Sequence, residues 1–344
     1  MTATHSTTRR TVLTVAKIAL AVAILAYLVV QARHGFSQLS EQTIQWKFLA
    51  AALVATLSAC TLSFVRWHLL INALGISMRL VDTLRLGALG FALNFVSPGS
   101  IGGDFFKAIF LAHGHPGKRT EAVATVVADR VIGLLTMLVL ASVGILSTGL
   151  LTAGSPALTL LCRAILLMTA VSWIGFGLLL LPRSRFGAWV IERAEAAPVV
   201  GKTIARLLET VDVYRSQKPT LLAAFSVSLG MALCFITSFY LVARGLPIHE
   251  PPWAEHLVIV PVAGLVGAIP LTPSGLGTLE LAVEELYKTM PGGTFVNTGD
   301  GTLVALGRRV TEMAVALIGL VYCLGHRREV REVFVEAEEA ADMV

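Results

Sequence analysis

Uncharged apolar runs dominate this chain, and two of them are interrupted by the same kind of turn. Residues 131–153 and 257–279 each run 23 positions without Asp, Glu, Lys or Arg. A helix needs about 20 apolar residues to cross a bilayer. Lipid offers the backbone no hydrogen bonds, so a chain there must be helical or a closed barrel. Only 14% of the residues are charged, against about 25% in a soluble domain. The chain therefore reads as an all-α integral membrane protein. Its net charge of +5 is explained by basic cytoplasmic loops, so nucleic acid is not an expected partner.

The interrupted runs contain NFVSPGSIGGDFFK at 94–107 and PLTPSGLGTLE at 270–280. Each has a hydroxyl residue before proline (Ser97-Pro98, Thr272-Pro273), a glycine four residues after the proline (Gly102, Gly277), and then a carboxylate (Asp104, Glu280). Proline and glycine break a helix. Broken backbone inside a membrane survives only where protein or a water-filled cavity satisfies it. A helix restarting after the break presents its N–H groups and positive dipole end, which suits an anion. The other reading is a plain helix–loop–helix turn at the membrane surface.

Six spans are expected, at about 12–30, 48–65, 131–153, 164–181, 220–243 and 301–325. The string TTRRTVLTVAK resembles a twin-arginine export signal, but no A-x-A site follows, so 12–30 is taken as an uncleaved first span. Residues 182–218, with seven basic and four acidic residues, form an amphipathic cytoplasmic connector. If 86–103 and 257–279 dip in and return, the basic stretches and both termini lie inside. The layout is then six transmembrane helices plus two re-entrant broken-helix hairpins, and eight full spans is the alternative. Residues 1–325 make one membrane domain, with inverted repeat halves at about 48–153 and 220–325. A charged cytoplasmic tail occupies 326–344. The expected location is the cell inner (plasma) membrane.

The four cysteines lie singly in apolar runs, and His113 and His115 have no third ligand nearby, so neither metal nor cofactor is expected. Charged residues inside the membrane usually mark a pathway. The candidate binding set is Ser97, Pro98, Gly102, Gly103, Asp104, Lys107, Arg130, Thr272, Pro273, Ser274, Gly275, Gly277, Glu280, Arg308, Arg309 and Glu312. Arg309 with Glu312 is an alternative, purely structural pair. Arg66 and Arg244 read as interface residues. Glu280 is expected to be more buried than Glu284.

The strings NFVSPGSIGGDFFKAIFL, ADRVIGLLTML, and PLTPSGLGTLELAVEELY with GRRVTE after it resemble the flippase-like family built on the lysylphosphatidylglycerol synthase transmembrane region. The resemblance covers about residues 12–325. It implies a lipid translocator; the family is best known for moving aminoacylated phosphatidylglycerol to the outer leaflet, with relatives tied to archaeal glycan-lipid and hopanoid pathways. The family's first motif usually has a basic residue beside the turn's glycines. Here the string is GGDFFK, and Lys107 is the nearest cation. The large aminoacyl-transferase domain is not found, so no synthase activity is implied.

The expected function is a lipid flippase or lipid-linked carrier acting on membrane lipids, not an enzyme. The two turns would form a central cavity, and a separate lipid-modifying enzyme would supply the substrate. No ATP-binding motif is found, and homo-oligomerisation stays open. The alternatives are a non-transporting assembly partner and a multi-pass lipid-dependent transferase.

Overall fold

A computed structural model describes residues 43–96, 102–115, 117–153, 155–180, 213–269, 276–292 and 296–324. Among them the regular elements are helices, with no strand. They are α1 (Trp46–Ala73), α2 (Leu80–Val96), α3 (Gly102–His113), α4 (Arg119–Thr148), the single turn α5 (Leu150–Ala153), α6 (Pro156–Leu180), α7 (Lys218–Gly245), α8 (Trp253–Ala268), α9 (Thr278–Thr289) and α10 (Asp300–Leu324). Helices α1, α4, α6 and α7 are long and apolar enough to cross a bilayer. The 25 residues of α10 would also reach across, but they include Arg308, Arg309 and Glu312. The protein is an all-α, multi-pass membrane protein. The expected span at 12–30, connector residues 182–212 and the tail at 326–344 lie outside the described residues.

Helices α1 and α7 lie antiparallel. The Gln45 amide at the start of α1 donates to the Gly245 carbonyl at the end of α7, 2.9 Å. Further along, Arg66 Nη1 reaches Ser228 Oγ at 3.0 Å. Near the other end, Tyr214 donates its hydroxyl to the Leu70 carbonyl at 3.2 Å.

Each of the two helices leads into a helical hairpin. In α2–α3 the arms touch backbone to backbone: a Cβ on Gly103 would lie 1.9 Å from the Gly90 carbonyl oxygen, so only glycine fits. The Gly103 amide donates to Asn94 Oδ1 at 2.9 Å. The open end of this hairpin packs Ile76, Leu86, Leu111 and Ala122 around Trp67 and Ile71 of α1. In α8–α9, the Gly292 amide after α9 donates to Glu255 at the start of α8, 2.9 Å. His256 and Tyr287 meet at 2.7 Å across the arms. Both hairpins thus begin and end at one face, beside the C-terminal end of the preceding long helix. Because α1 and α7 are antiparallel, those faces are opposite.

The packing neighbours also exchange in pairs. Helix α8 packs on α4 as α2 packs on α10, α3 on α4 as α9 on α10, α1 on α2 as α7 on α8, and α7 on α4 as α1 on α10. The largest core cluster surrounds α8, where Leu257, Val258, Ile259 and Val260 are buried between α4 and α7. Gly144 of α4 makes that approach possible, since a Cβ there would lie 2.7 Å from Leu257 Cβ.

One sequence expectation is corrected here. The span expected to end near Val65 runs on as helix to Ala73. Arg66 and Trp67 are buried, not interfacial. Arg244 does lie at the surface, paired with Glu250 at 2.9 Å.

Candidate functional site

Asp104 stands in the first turn of α3, where the helix dipole favours a carboxylate. Arg130 of α4 meets its Oδ2 through both Nε and Nη2. Lys107, one turn further along α3, lies 3.5 Å from Asp104 Oδ1. Its ammonium sits over the ring of Trp67 at 5.3 Å and that of Phe64 at 5.9 Å, both on α1. Gly90 leaves space for the lysine stem, since a Cβ there would lie 3.1 Å from Lys107 Cε. Two cations therefore converge on one carboxylate. The Asp104 side chain is 11% exposed and that of Arg130 is 53% exposed.

The second half repeats the arrangement with different enclosure. Glu280 stands in the first turn of α9 and pairs with Arg309 Nε of α10. Its Oε2 accepts the Gly277 amide at 2.7 Å. Gly277 has φ +86°, a conformation that suits glycine. Glu280 is 0% exposed and Arg309 16%. Arg130 lies 11 residues into α4 and Arg309 nine residues into α10. At 1.5 Å per residue these are about 16 and 14 Å along the two helices from their first residues.

Arg308 turns the other way, onto α7. Its guanidinium lies 4.6 Å from the Phe235 ring and 5.4 Å from the Phe239 ring, and Nη2 is 3.2 Å from Glu312 Oε1. Phe239 follows the first residue of α7 by 21 positions, as Trp67 follows the first residue of α1. Each half thus holds a buried cation against an aromatic ring at the same rung. The alternative Arg309–Glu312 pair does not form: Arg309 goes to Glu280, and Glu312 takes Arg308.

Two buried carboxylates have roles the sequence reading missed. Asp129 accepts from Arg66 Nε at 2.7 Å, and with Ser228 this ties α1, α4 and α7 together. The signal was present in RWHLLINAL, where the apolar pattern continues past the arginine. Glu284 is as enclosed as Glu280, because it caps α10. Its Oε1 accepts the Gly299 amide at 2.7 Å, its Oε2 accepts the Thr302 amide at 2.9 Å, and Lys288 Nζ lies 3.0 Å away.

The helix-start amides expected to be free are not all free, since Gly103 donates to Asn94 and Gly277 to Glu280. Ser97, Pro98, Thr272, Pro273, Ser274 and Gly275 lie outside the described residues, and Gly102 opens α3. The described candidates form two separate groups, Asp104–Lys107–Arg130 and Glu280–Arg309, with Arg308–Glu312 beside the second. A polar cavity of about 300 Å³, lined by residues that include Arg244, His249, Glu250 and Asn297, touches none of them. Chemically, each group is an ion pair between a hairpin and a long helix, or within one long helix, of a membrane protein. A visiting anion can compete for the arginine, and a visiting cation for the carboxylate. Exchange of partners is far cheaper than loss of one, because an uncompensated buried charge costs several kcal/mol, about 3–5.

No curated protein matches the sequence. A family profile described as the lysylphosphatidylglycerol synthase TM region matches residues 14–319. That match takes in both hairpins, both arginine–carboxylate pairs and the long helices between them, and the chain belongs to this family.

Proposed function

We propose that the protein moves a polar-headgroup lipid between the leaflets of the cell inner membrane, with its termini in the cytoplasm. One observation carries this reading. Two hairpins from opposite faces each hold a carboxylate–arginine pair between the hairpin and the long helix that follows it. A headgroup crossing the bilayer needs charged partners and a way to exchange them from one side to the other. Arg130, Arg308 and Arg309 would draw an anionic headgroup; Asp104 releases and recaptures Arg130, while Arg309 stays with Glu280 and Arg308 with Glu312. Acyl chains stay in the bilayer. Energy comes from a gradient or from mass action, and a separate lipid-modifying enzyme supplies the substrate. The protein itself performs no covalent chemistry in this scheme.

The test is lipid movement in vesicles, read as loss of fluorescence when an impermeant quencher meets a headgroup-labelled phospholipid. Asp104→Asn, Glu280→Gln and Arg309→Ala should each slow movement at least tenfold. If all three match the parent, the transport reading is lost. A second reading follows from Glu284 and Asp129, whose charges serve helix capping and helix–helix ties. If the central pairs are equally structural, the protein is a non-transporting assembly partner. In that case the variants would lose stability without any specific loss of lipid movement.

A further inference from the structure

We infer that the Asp104–Arg130 pair is a bilayer-facing docking site for the phosphate of a phospholipid, which reaches the protein sideways between α3 and α4. The inference rests on the lipid-transport reading and names the ligand class and the side from which it arrives. The exposed residues of α4 in this region are Val123, Val127, Arg130, Val131 and Leu134. Their spacing of three or four places them on one helix face. On a helix that crosses a membrane, such an exposed valine and leucine stripe is the lipid-facing surface. Phe105, next to Asp104, is 65% exposed and extends the apolar surface onto α3. From Val123 to Leu134 the stripe is about 16 Å long, about the length of an acyl chain in one leaflet.

Arg130 stands within this stripe with half its side chain facing outward. Its Nε and Nη2 hold Asp104, and Lys107 offers that carboxylate a second cation. Asp104 therefore keeps a counter-charge when Arg130 turns to another anion. A planar guanidinium matches a phosphate through two parallel hydrogen bonds. The second half supplies an internal control. Val310, Met313, Leu317 and Val321 make the corresponding apolar stripe on α10, but Arg309 is held behind it against the fully enclosed Glu280. That surface offers lipid contact with its charges more enclosed, Arg309 16% and Glu312 22% exposed against 53% for Arg130.

The experiment places the photo-crosslinking residue benzoylphenylalanine at Val131 or at Val310 of the full-length protein. The protein is reconstituted in vesicles of equimolar phosphatidylglycerol and phosphate-free galactosyl diacylglycerol. Lipid adducts are counted by intact-protein mass spectrometry. At Val131, phosphatidylglycerol adducts should exceed their mole ratio about tenfold, the effect of one charge-assisted hydrogen bond. At Val310 the adducts should follow the bulk mixture. Arg130→Gln should abolish the enrichment and Arg130→Lys should keep part of it. Equal ratios at the two positions, or no lipid adduct at Val131, would overturn the site, and this comparison needs no charge variant to fold. Enrichment at Val131 combined with unaffected lipid movement in the charge variants would keep the docking site and remove the transport reading. The converse result would do the reverse.

Discussion

In the second half of the molecule, Glu280 is sealed between its own helix cap and Arg309. In the first half, the matching Asp104 shares two cations, and one of them, Arg130, is 53% exposed. The same motif therefore gives one enclosed pair and one accessible pair. A carboxylate with a single buried partner is fixed, because losing that partner strands a charge. A carboxylate with two partners can release one. The difference teaches that duplication of a turn does not duplicate its role, and that the half with the surplus cation is the one suited to exchange.

The sharpest way to break this comparison is to neutralise each carboxylate and measure unfolding in detergent. Glu280→Gln removes the fully enclosed carboxylate that Arg309 meets and should cost about 3–5 kcal/mol. Asp104→Asn should cost less, about 1–2 kcal/mol, because solvent or lipid headgroups can reach Arg130 and the rings of Phe64 and Trp67 still face the Lys107 ammonium. Equal losses would mean that enclosure does not distinguish the halves. Asp129→Asn sharpens the point within the first half. It strands Arg66, which is 4% exposed, and should cost about 3 kcal/mol. A loss no greater than that of Asp104→Asn would show that burial is the wrong variable.

Double-mutant cycles give the next largest effect. Glu280→Gln combined with Arg309→Gln should show a coupling of about 2 kcal/mol, whereas Asp104→Asn with Arg130→Gln should show less than about 1 kcal/mol. The outcome that breaks the comparison is a stronger coupling in the first half.

Much of this architecture can be read from residue order, and the parts that cannot share one cause. The apolar runs and the paired Pro–Gly turns point to the hairpins, and the carboxylate after each turn marks Asp104 and Glu280 as candidates. Arg66 was misplaced because Trp67 and His68 beside it imitate the aromatic belt of an interface. Its hydrogen-bond partner Ser228 is 162 residues away. Glu284 was undervalued because Glu280, Glu284 and Lys288 at spacings of four imitate an exposed charged face. Its true partners are amides that exist only once α10 begins. Local patterns report exposure poorly when a distant segment provides the cover.

Glu284 also offers a smaller test. Glu284→Ala removes the acceptor for the Gly299 and Thr302 amides and should cost about 1–2 kcal/mol, as loss of a helix cap does. Hydrogen exchange should rise at residues 299–303 while α9 stays protected. Because no side-chain hydrogen bond caps α4 at Lys118, a matching rise at the start of α4 would show that the change spread beyond the cap.

The smallest expected effect concerns Lys107. In Lys107→Met the side chain can still pack against Phe64 and Trp67, Asp104 retains Arg130, and only the ammonium is lost. Unfolding should shift by about 1 kcal/mol, because the ion pair it breaks is long, 3.5 Å, and methionine keeps the packing on both rings. The functional consequence should be larger than the stability consequence. Without Lys107, Asp104 has no second cation, so release of Arg130 to a phosphate becomes unfavourable and lipid movement slows while the fold persists. If instead Lys107→Met destabilises the protein as much as Asp104→Asn does, Lys107 is the partner that Asp104 depends on. Arg130 would then be the dispensable member of the pair, and the exposed half of the molecule would owe its character to position alone, not to shared charge.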